Sequence, residues 1–485
     1  MLAAGRIEGH RVDEESVLTG LSLAKELLSP KKLGRHADGK QGLSRLGYEA
    51  QECEAVGMVL EQGEKLGLEL YEDVAANAFL VFPGKDRHKP VLLMGSHLDS
   101  VKQGGLYDGT TGVVVPLAAI KALQEEGAVP PQDVAVAIWR CEESPNFKQF
   151  GVGSGMATAA LPTSVLEKTN LKGVSLKDSL VQAYSSSKGR HDADLLFLEE
   201  RLKARDPILP VGHIAHAVEF HIEQADTLRR NDKSLGIVSA IRGNVRFPSV
   251  EFFGKSQHTG GGFQGDRQDA SLMLGAFMGQ VMSQAEKIGA KKDLVHSFPL
   301  IGQPNDNSTT TPNYVAVAFE ARSVDAKALD KMASTVEAAA NNAVAKHGGE
   351  VTVGPMNRTE PVFMDVSVQK LLRGHARRLG LSTYDMVSGA GHDIMRLQNA
   401  GVASALVLMR HSGKSHNPME DLCLQKDPFV PDSDVGAAVR LAASFMMKPG
   451  ASSRTREGSF TKELCENRAR EIFGERHSFF PSLVA

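Results

Sequence analysis

The sequence predicts an α/β fold: a mixed, largely parallel sheet covered by helices, interrupted by an inserted α+β domain. Three observations lead there. Apolar runs such as Val91 to Met94, Val134 to Trp139 and Ala405 to Met409 have the length and composition of strands buried on both faces. Helical stretches alternate with these runs, which is the pattern of strands joined by covering helices. From about Gly236 the texture changes to alternating strands around two longer helical segments. The chain of 485 residues exceeds what one core usually organises. We therefore expect a main domain over 1–235 and 359–448, an inserted lid over 236–358 and a C-terminal tail over 449–485.

Composition narrows the partners. Hydrophobic residues make up 42% and charged residues 23%, with a formal charge of -3. That balance offers no field for nucleic acid or an anionic membrane. No apolar run approaches the roughly 20 residues that span a bilayer. Met1 to His10 carries only a short apolar patch before Asp13, Glu14 and Glu15, so no signal peptide is expected. Cys53, Cys141, Cys423 and Cys465 are scattered, which suits reduced thiols in a cytoplasmic protein.

The chain opens with a helix over Glu14 to Leu28, its apolar side formed by Leu18, Leu21, Leu23 and Leu27 before Pro30 stops it. A loop rich in Gly, Lys and His follows. A second helix, Ala50 to Lys65, ends at Gly67. Leu68, Leu70 and Tyr71 then lead into a strand over Ala78 to Phe82 and a turn at Pro83-Gly84. The run from Val91 is a strand that delivers His97 and Asp99 to the same side at its end. Gly104 and Gly105 permit a tight loop, Asp108 follows, and Gly112 opens a helix in which Val113, Leu117, Ile120 and Leu123 share a face. A histidine, a nearby aspartate and a second aspartate on the next loop are ligand types for a divalent metal. The same stretch also reads as an ordinary strand, loop and helix with exposed polar residues.

The strand Val134 to Trp139 runs directly into Glu142-Glu143, at the place where an open α/β sheet commonly holds its ligand. Adjacent side chains diverge, so one carboxylate could ligate a metal while the other takes a proton from water held there. An exposed acidic pair is the plainer alternative. Residues 161–211 are polar, with a solvent loop expected at Ser185 to Gly189 and a charged helix at Asp194 to Ala204. The strand Ala217 to Glu223 places Glu219, His221 and Glu223 on one face and Val218, Phe220 and Ile222 on the other. His221 is there a metal ligand or a surface histidine. His213 and His216 read as surface residues.

The insertion shows strands over Gly236 to Ile241 and Pro248 to Phe253, then His258 in a glycine-rich loop. Helices are expected over Asp269 to Lys287 and Ala326 to His347. Between them Tyr314 to Arg322 alternates, placing Arg322 with Ala316, Ala318 and Glu320. Two helices and about four strands make a compact lid. In the final third, Ser388 to Asp393 is a glycine-rich turn opening the helix Ile394 to Asn399, so its backbone N–H groups could meet an anion. The strand Ala405 to Met409 then leads towards His416, within Ser415 to Glu420.

Together these pieces occur in one order. His97-x-Asp99, Tyr107-Asp108-Gly109, Glu142-Glu143, His221-Ile222-Glu223-Gln224, His258 with Gly260, Arg267 and Asp269, Ser388 to Asp393 and Ser415 to Glu420 resemble the M20 metallopeptidase-like family. Within it they resemble the branch of N-carbamoyl-L-amino-acid hydrolases, allantoate amidohydrolases and β-ureidopropionases, over roughly Asp38 to Ala443. The resemblance implies two divalent ions, Zn or else Mn, Co or Ni, one held by His97, Asp108 and His221 and the other by Asp108, Glu143 and His416. Asp108 would bridge ions about 3.5 Å apart, and Asp99 would orient His97. Glu142 would be the general base acting on the bridging water, and His258, contributed by the partner subunit in such enzymes, would steady the oxyanion. Arg322 would pair with a substrate carboxylate through its planar fork. Gln224, Thr309, Gly391 and His392 match further substrate contacts. A homodimer through the lid is implied as well.

Departures from the family pattern gather where substrate would sit. Gly261-Gly262-Phe263-Gln264 stands in place of the usual Thr-Thr-Pro-Met, Thr309 in place of an asparagine, Ala225 in place of a glycine and Gly155 in place of an arginine. The expected function is therefore two-metal hydrolysis of a C–N bond in an N-carbamoyl or N-acyl amino acid. A dipeptidase or N-acyl-amino-acid deacylase is the second reading, and a non-catalytic carboxylate-binding protein the third.

Overall fold

The apolar runs become the middle of a sheet in the computed structural model, which describes residues 11–29, 31–34, 42–185, 191–261, 263–303, 307–411, 415–417, 427–451 and 460–469. These fall into two compact units. The first holds the described residues up to Ser239, Met364–Met386 and those from Gly391 onward; the second holds Ala240–Phe363 and Val387–Ala390.

In chain order the strands are β1 (Glu69–Glu72), β2 (Ala78–Phe82), β3 (Val91–His97), β4 (Val134–Trp139), β5 (Ile214–Ile222) and β6 (Leu235–Ile241), then β7 (Gly243–Phe253), β8 (Val295–Ser297), β9 (Ile301–Gly302), β10 (Tyr314–Ser323), β11 (Glu350–Val353), β12 (Asn357–Thr359) and β13 (Val362–Phe363), and finally β14 (Thr383–Ser388) and β15 (Ser404–Met409). The first unit's sheet runs β1-β2-β4-β3-β5-β15-β6, with β14 also on β6. Its centre, β4, β3, β5 and β15, is parallel. Antiparallel pairs flank it at β1, β2 and β6. Every residue of β3, β4, β5 and β15 is buried, because helices cover both faces of such a sheet.

The helices Glu14–Leu27, Thr110–Glu125 and Asp434–Met447 pack together in that cover. Asp13 and Ser433 cap the outer two through their side chains, satisfying amide groups that have no partner within the helix. The helix after Asp108 begins at Thr110 rather than Gly112. It shows no single apolar face, since nearly all of it from Thr110 to Leu123 is buried. Gly95 lies within β3 at φ +137, and a Cβ there would stand 2.7 Å from Ala137 N, so the close approach of β3 to β4 requires glycine.

Several expectations need correction. His213 and His216 are buried rather than at the surface. β5 starts at Ile214, which draws His216 into the sheet against Phe445, and His213 pairs with Glu463 of the C-terminal helix Phe460–Ala469. That helix lies in the segment expected as a tail. Its Phe460 packs edge-on against Phe79, with centroids 6.0 Å apart, so aromatic burial holds it in place. β6, expected to open the insertion, pairs over Leu235 to Val238 with β15 of the first unit's sheet. A helix Leu176–Ser185 precedes the charged helix, which starts at His191. The expected loop residues 186–189, Gly262, residues 418–420, Cys423 and the tail beyond residue 469 lie outside the described residues.

The second unit sets the helices Ala270–Gly289 and Ala326–His347 against a six-stranded sheet, β11-β7-β10-β8 with β12 on β7 and β9 on β10. Its core is Val245, Phe252, Phe277, Val317, Phe319, Met332 and their neighbours. Pro248 falls inside β7, and the register of β7 with β10 shifts there, between Val317 and Phe319. Proline has no N–H for a ladder, and a bulge accommodates it.

Candidate metal centre

The parallel strands β3, β4 and β5 end on one side, and their loops bring together residues far apart in sequence. Asp108 is the common point. Its Oδ1 lies 3.2 Å from His221 Nε2 and 3.7 Å from His97 Nε2, and its Oδ2 lies 3.6 Å from His416 Nε2. Glu143 Oε1 is 2.9 Å from the same His416 nitrogen, and Glu142 Oε2 is 3.8 Å from His97 Nε2. Two donor groups share Asp108, His97-Asp108-His221 and Asp108-Glu143-His416, each with possible ligand atoms within 4.8 Å of one another, and Glu219-His221-His392 meets the same distance.

Local structure accounts for each position. His97 ends β3 with its Nδ1 3.1 Å from the carbonyl of Asp99 and 3.3 Å from the Asp99 carboxylate, so its Nε2 is the nitrogen that faces Asp108. The Asp99 carboxylate also accepts from the amides of Glu142 and Glu143, both at 3.0 Å. His221 turns its Nδ1 to the carbonyl of Ile222 at 2.9 Å. Gly109, at φ +67, caps the helix Thr110–Glu125, and a Cβ there would fall 2.5 Å from His97 Cδ2. His416, also at positive φ, is the exposed member of the cluster, with 46% of its side chain accessible. The other members are buried.

Electrostatics fit dications. Burial pushes Asp108 up, yet His221, His97 and His416 outweigh it and hold that carboxyl well below the usual range. Glu142 is driven well above its ordinary value by burial and by Glu143, against the pull of His97. Burial likewise raises Glu143. Burial lowers His97, but Glu142, Asp99 and Asp108 more than reverse this. Among the described residues no lysine or arginine pairs with Asp108, Glu142 or Glu143. Three buried carboxylates whose ion-pair partners are imidazoles suit a donor set for bound cations. With His and carboxylate donors, Zn and Mn are both suitable.

The remaining first-unit residues lie around this cluster. Gln224 donates to Asp108 Oδ2 at 2.7 Å, and Ser415, which sequence reasoning did not single out, bonds to the same oxygen. The His392 ring meets His221 edge-on with centroids 4.5 Å apart; burial and His221 press it well below the ordinary imidazole range. Gly391 packs under Phe150, whose Cζ would be 2.7 Å from a Cβ. The carboxylates bracketing His221 have separate tasks. Glu219 accepts from Ser96 Oγ at 2.7 Å and from the amide of Ile394 at 2.9 Å, so that amide is not open to an anion as the glycine-rich turn implied. Glu223 caps the helix Thr227–Arg230 through the amides of Thr227 and Leu228. Asp393, raised to about 8 by burial and by Glu219, bonds to Ser154. A buried acid on the same strand face as His221 was the available signal for Glu219.

His258, Thr309 and Arg322 belong to the second unit. His258 is exposed and its Nδ1 accepts from the amide of Gly260 at 3.1 Å. Thr309 accepts from Thr259 through its carbonyl, and its hydroxyl bonds Asn307 Oδ1 at 2.8 Å. Asn307, which sequence reasoning did not single out, holds Thr309 by accepting from its amide and its hydroxyl. Arg322 donates from Nε to Glu320 at 2.7 Å and from Nη1 to the carbonyl of Gly389 at 2.7 Å.

The chain is similar to several known proteins. Residues 93–448 match Peptidase family M20/M25/M40. An N-carbamoyl-L-amino acid amidohydrolase of Geobacillus stearothermophilus is 26% identical over 407 residues, covering 83% of this chain and 94% of that protein. An allantoate amidohydrolase of Bacillus subtilis (strain 168) is 27% identical over 388 residues, covering 80% and 89%. In fold, a crystal structure of an amidase of the hydantoinase/carbamoylase family from Burkholderia multivorans superposes with a TM-score of 0.73 at 22% identity, covering 91% of this chain and 99% of that one.

Proposed function

The chain belongs to peptidase family M20/M25/M40, and from that membership together with the shared carboxylate of Asp108 we propose that it is a two-metal amidohydrolase. Its substrate would be an N-carbamoyl or N-acyl amino acid, or a related ureido acid, cleaved at a C–N bond. The observation that carries this reading is that Asp108 belongs to both donor groups while Glu142 stands beside them. The ions would be held by His97, Asp108 and His221 on one side and by Asp108, Glu143 and His416 on the other. When bound, they supply a Lewis acid for the carbonyl and make water acidic enough to attack at neutral pH.

The chain's own residues do the rest. Glu142, buried and raised, takes the proton from the attacking water and passes it to the departing nitrogen. Asp99 keeps His97 in one tautomer and fixes the backbone of both glutamates, so the base is aimed before substrate arrives. Gln224 and His392 line the approach to Asp108. His258 steadies the oxyanion from a partner copy, and Arg322 receives the substrate carboxylate; Thr309 and Gly391 complete the contacts. The strands β8 and β9 and the link between them leave Val295, Leu300 and Ile301 exposed, with Leu300 71% accessible, which supports self-association through this unit. A monomer by light scattering would remove that part of the reading.

Turnover of metal-reconstituted protein tests the function. An N-carbamoyl amino acid, allantoate and an N-acyl amino acid are offered to wild type and Glu142→Gln. We expect ammonia from the ureido substrates and a loss in kcat of about 10²- to 10⁴-fold in the variant, with metal content unchanged. Cleavage of the acyl substrate alone would move the protein to the deacylases, and an active Glu142→Gln would reject the base.

A further inference from the structure

We propose that Glu52 is the positioning residue that aims the Glu142 carboxylate. The inference rests on Glu142 being the base, and concerns how the chain holds it.

Glu142 follows directly on Cys141, a non-glycine residue at φ +54. That left-handed conformation crowds Cβ against the backbone and persists only where surroundings enforce it. Its place after β4 decides where the next side chain points. The enforcing contacts are all visible. The amide of Cys141 donates to Glu52 Oε1 at 3.0 Å, and those of Glu142 and Glu143 donate to the two oxygens of Asp99. Two buried carboxylates thus hold three successive amides. The carbonyls of Arg140, Cys141 and Glu142 accept from Gly153, Val152 and Gly151, which pins the opposite edge.

Glu52 is itself fully buried in the first turn of the helix Ala50–Lys65. Its second oxygen receives Arg140 Nη2 at 2.7 Å and the amide of Tyr48, so its direction is fixed by a charge-assisted pair. Arg140 in turn lies over the Tyr48 ring, 5.0 Å from its centroid. Gly47 completes the cradle, because a Cβ there would stand 2.5 Å from Cys141 Cα. None of Glu52, Gly47 or Arg140 bonds to the histidines or to Asp108 among the described residues. Their geometry converges on one left-handed peptide unit next to the base.

The test uses Glu52→Gln, which keeps one acceptor and turns its amide N–H₂ either towards the Cys141 N–H, so that this bond is lost, or towards Tyr48 N–H and Arg140, so that the pair which fixes the side chain is lost. In full-length, metal-loaded protein we expect kcat to fall about 10- to 100-fold, the loss typical of a misplaced catalytic group. KM and bound metal should stay near wild type. In metal-free protein, alkylation of Cys141 followed by peptide mass spectrometry should be faster than in wild type, because the cradle has loosened. Adding Cys141→Gly to Glu52→Gln should restore most of kcat, since glycine adopts positive φ without strain. If Glu52→Gln does not accumulate as folded protein, Glu52→Asp, which can reach Cys141 or Arg140 but not both, is read by the same measurements. Unchanged kcat, or a fall in kcat with Cys141 as protected as in wild type, overturns the proposal. The alkylation rate needs no turnover, so it separates failure here from failure of the hydrolase reading.

Discussion

At the scale of single residues, the centre depends on groups that carry no chemistry of their own. Gly109 is the clearest. Its positive φ turns the chain from Asp108 into the following helix, and its missing side chain leaves room for the His97 ring. A methyl group there meets the imidazole and strains the backbone at once. We expect Gly109→Ala to lose metal affinity by 10-fold or more while the fold is kept, as displaced partners of metal ligands typically cost about 10- to 100-fold. Isothermal titration with Zn or Mn, beside circular dichroism, decides it; wild-type affinity would show that His97 has slack. Asp99 teaches a related lesson. Its spacing from His97 marks it as an orienting carboxylate, but its hold on the amides of Glu142 and Glu143 is invisible until β3 and β4 lie side by side.

At the scale of elements, buried polar groups tie helices to one another. His375, on the helix Val366–Arg378, holds Ser444 Oγ at 2.7 Å through Nδ1 and donates from Nε2 to the carbonyl of Lys448 at 3.1 Å. The neutral ring satisfies both, with Nε2–H donating to the carbonyl. Burial, helped by Arg378, lowers its pKa to about 4. The unfolded chain therefore binds the proton first as pH falls, so the contribution is complete above about 6.5 and is lost on the way down to about 4. At about 1.4 kcal/mol per unit, the full effect is on the order of 3 kcal/mol. Denaturant melts of wild type and His375→Gln should show the wild-type advantage shrinking across that window. A gap independent of pH would mean that the ring is not held neutral.

At the scale of the whole molecule, the proposed two-metal reading couples stability to metal loading. Asp108, Glu142 and Glu143 are buried together, and cations present only in the folded state favour that state. Chelation should lower Tm, and restoring metal to about 100 times Kd should return about 2.7 kcal/mol per site. A Tm indifferent to both treatments would count against the donor groups as metal sites. No helix among the described residues is long and apolar enough to cross a membrane, and the residues of the two donor groups that share Asp108 converge where the parallel strands end.

The sequence by itself determined the strand runs, the order of ligand types and the family they resemble, because apolar periodicity and short motifs are local properties of the chain. Val91 to Met94 and Val134 to Trp139 could be read as buried strands without any neighbour, and Glu142-Glu143 as the residues that follow one. Only the tertiary structure decided that His216 is buried, that β6 joins the first unit's sheet, that Asn307 holds Thr309, and that Glu52 reaches the amide of Cys141. Each of those depends on which distant segment fills the space beside it, and burial and hydrogen bonding across such distances leave no periodic mark in either partner.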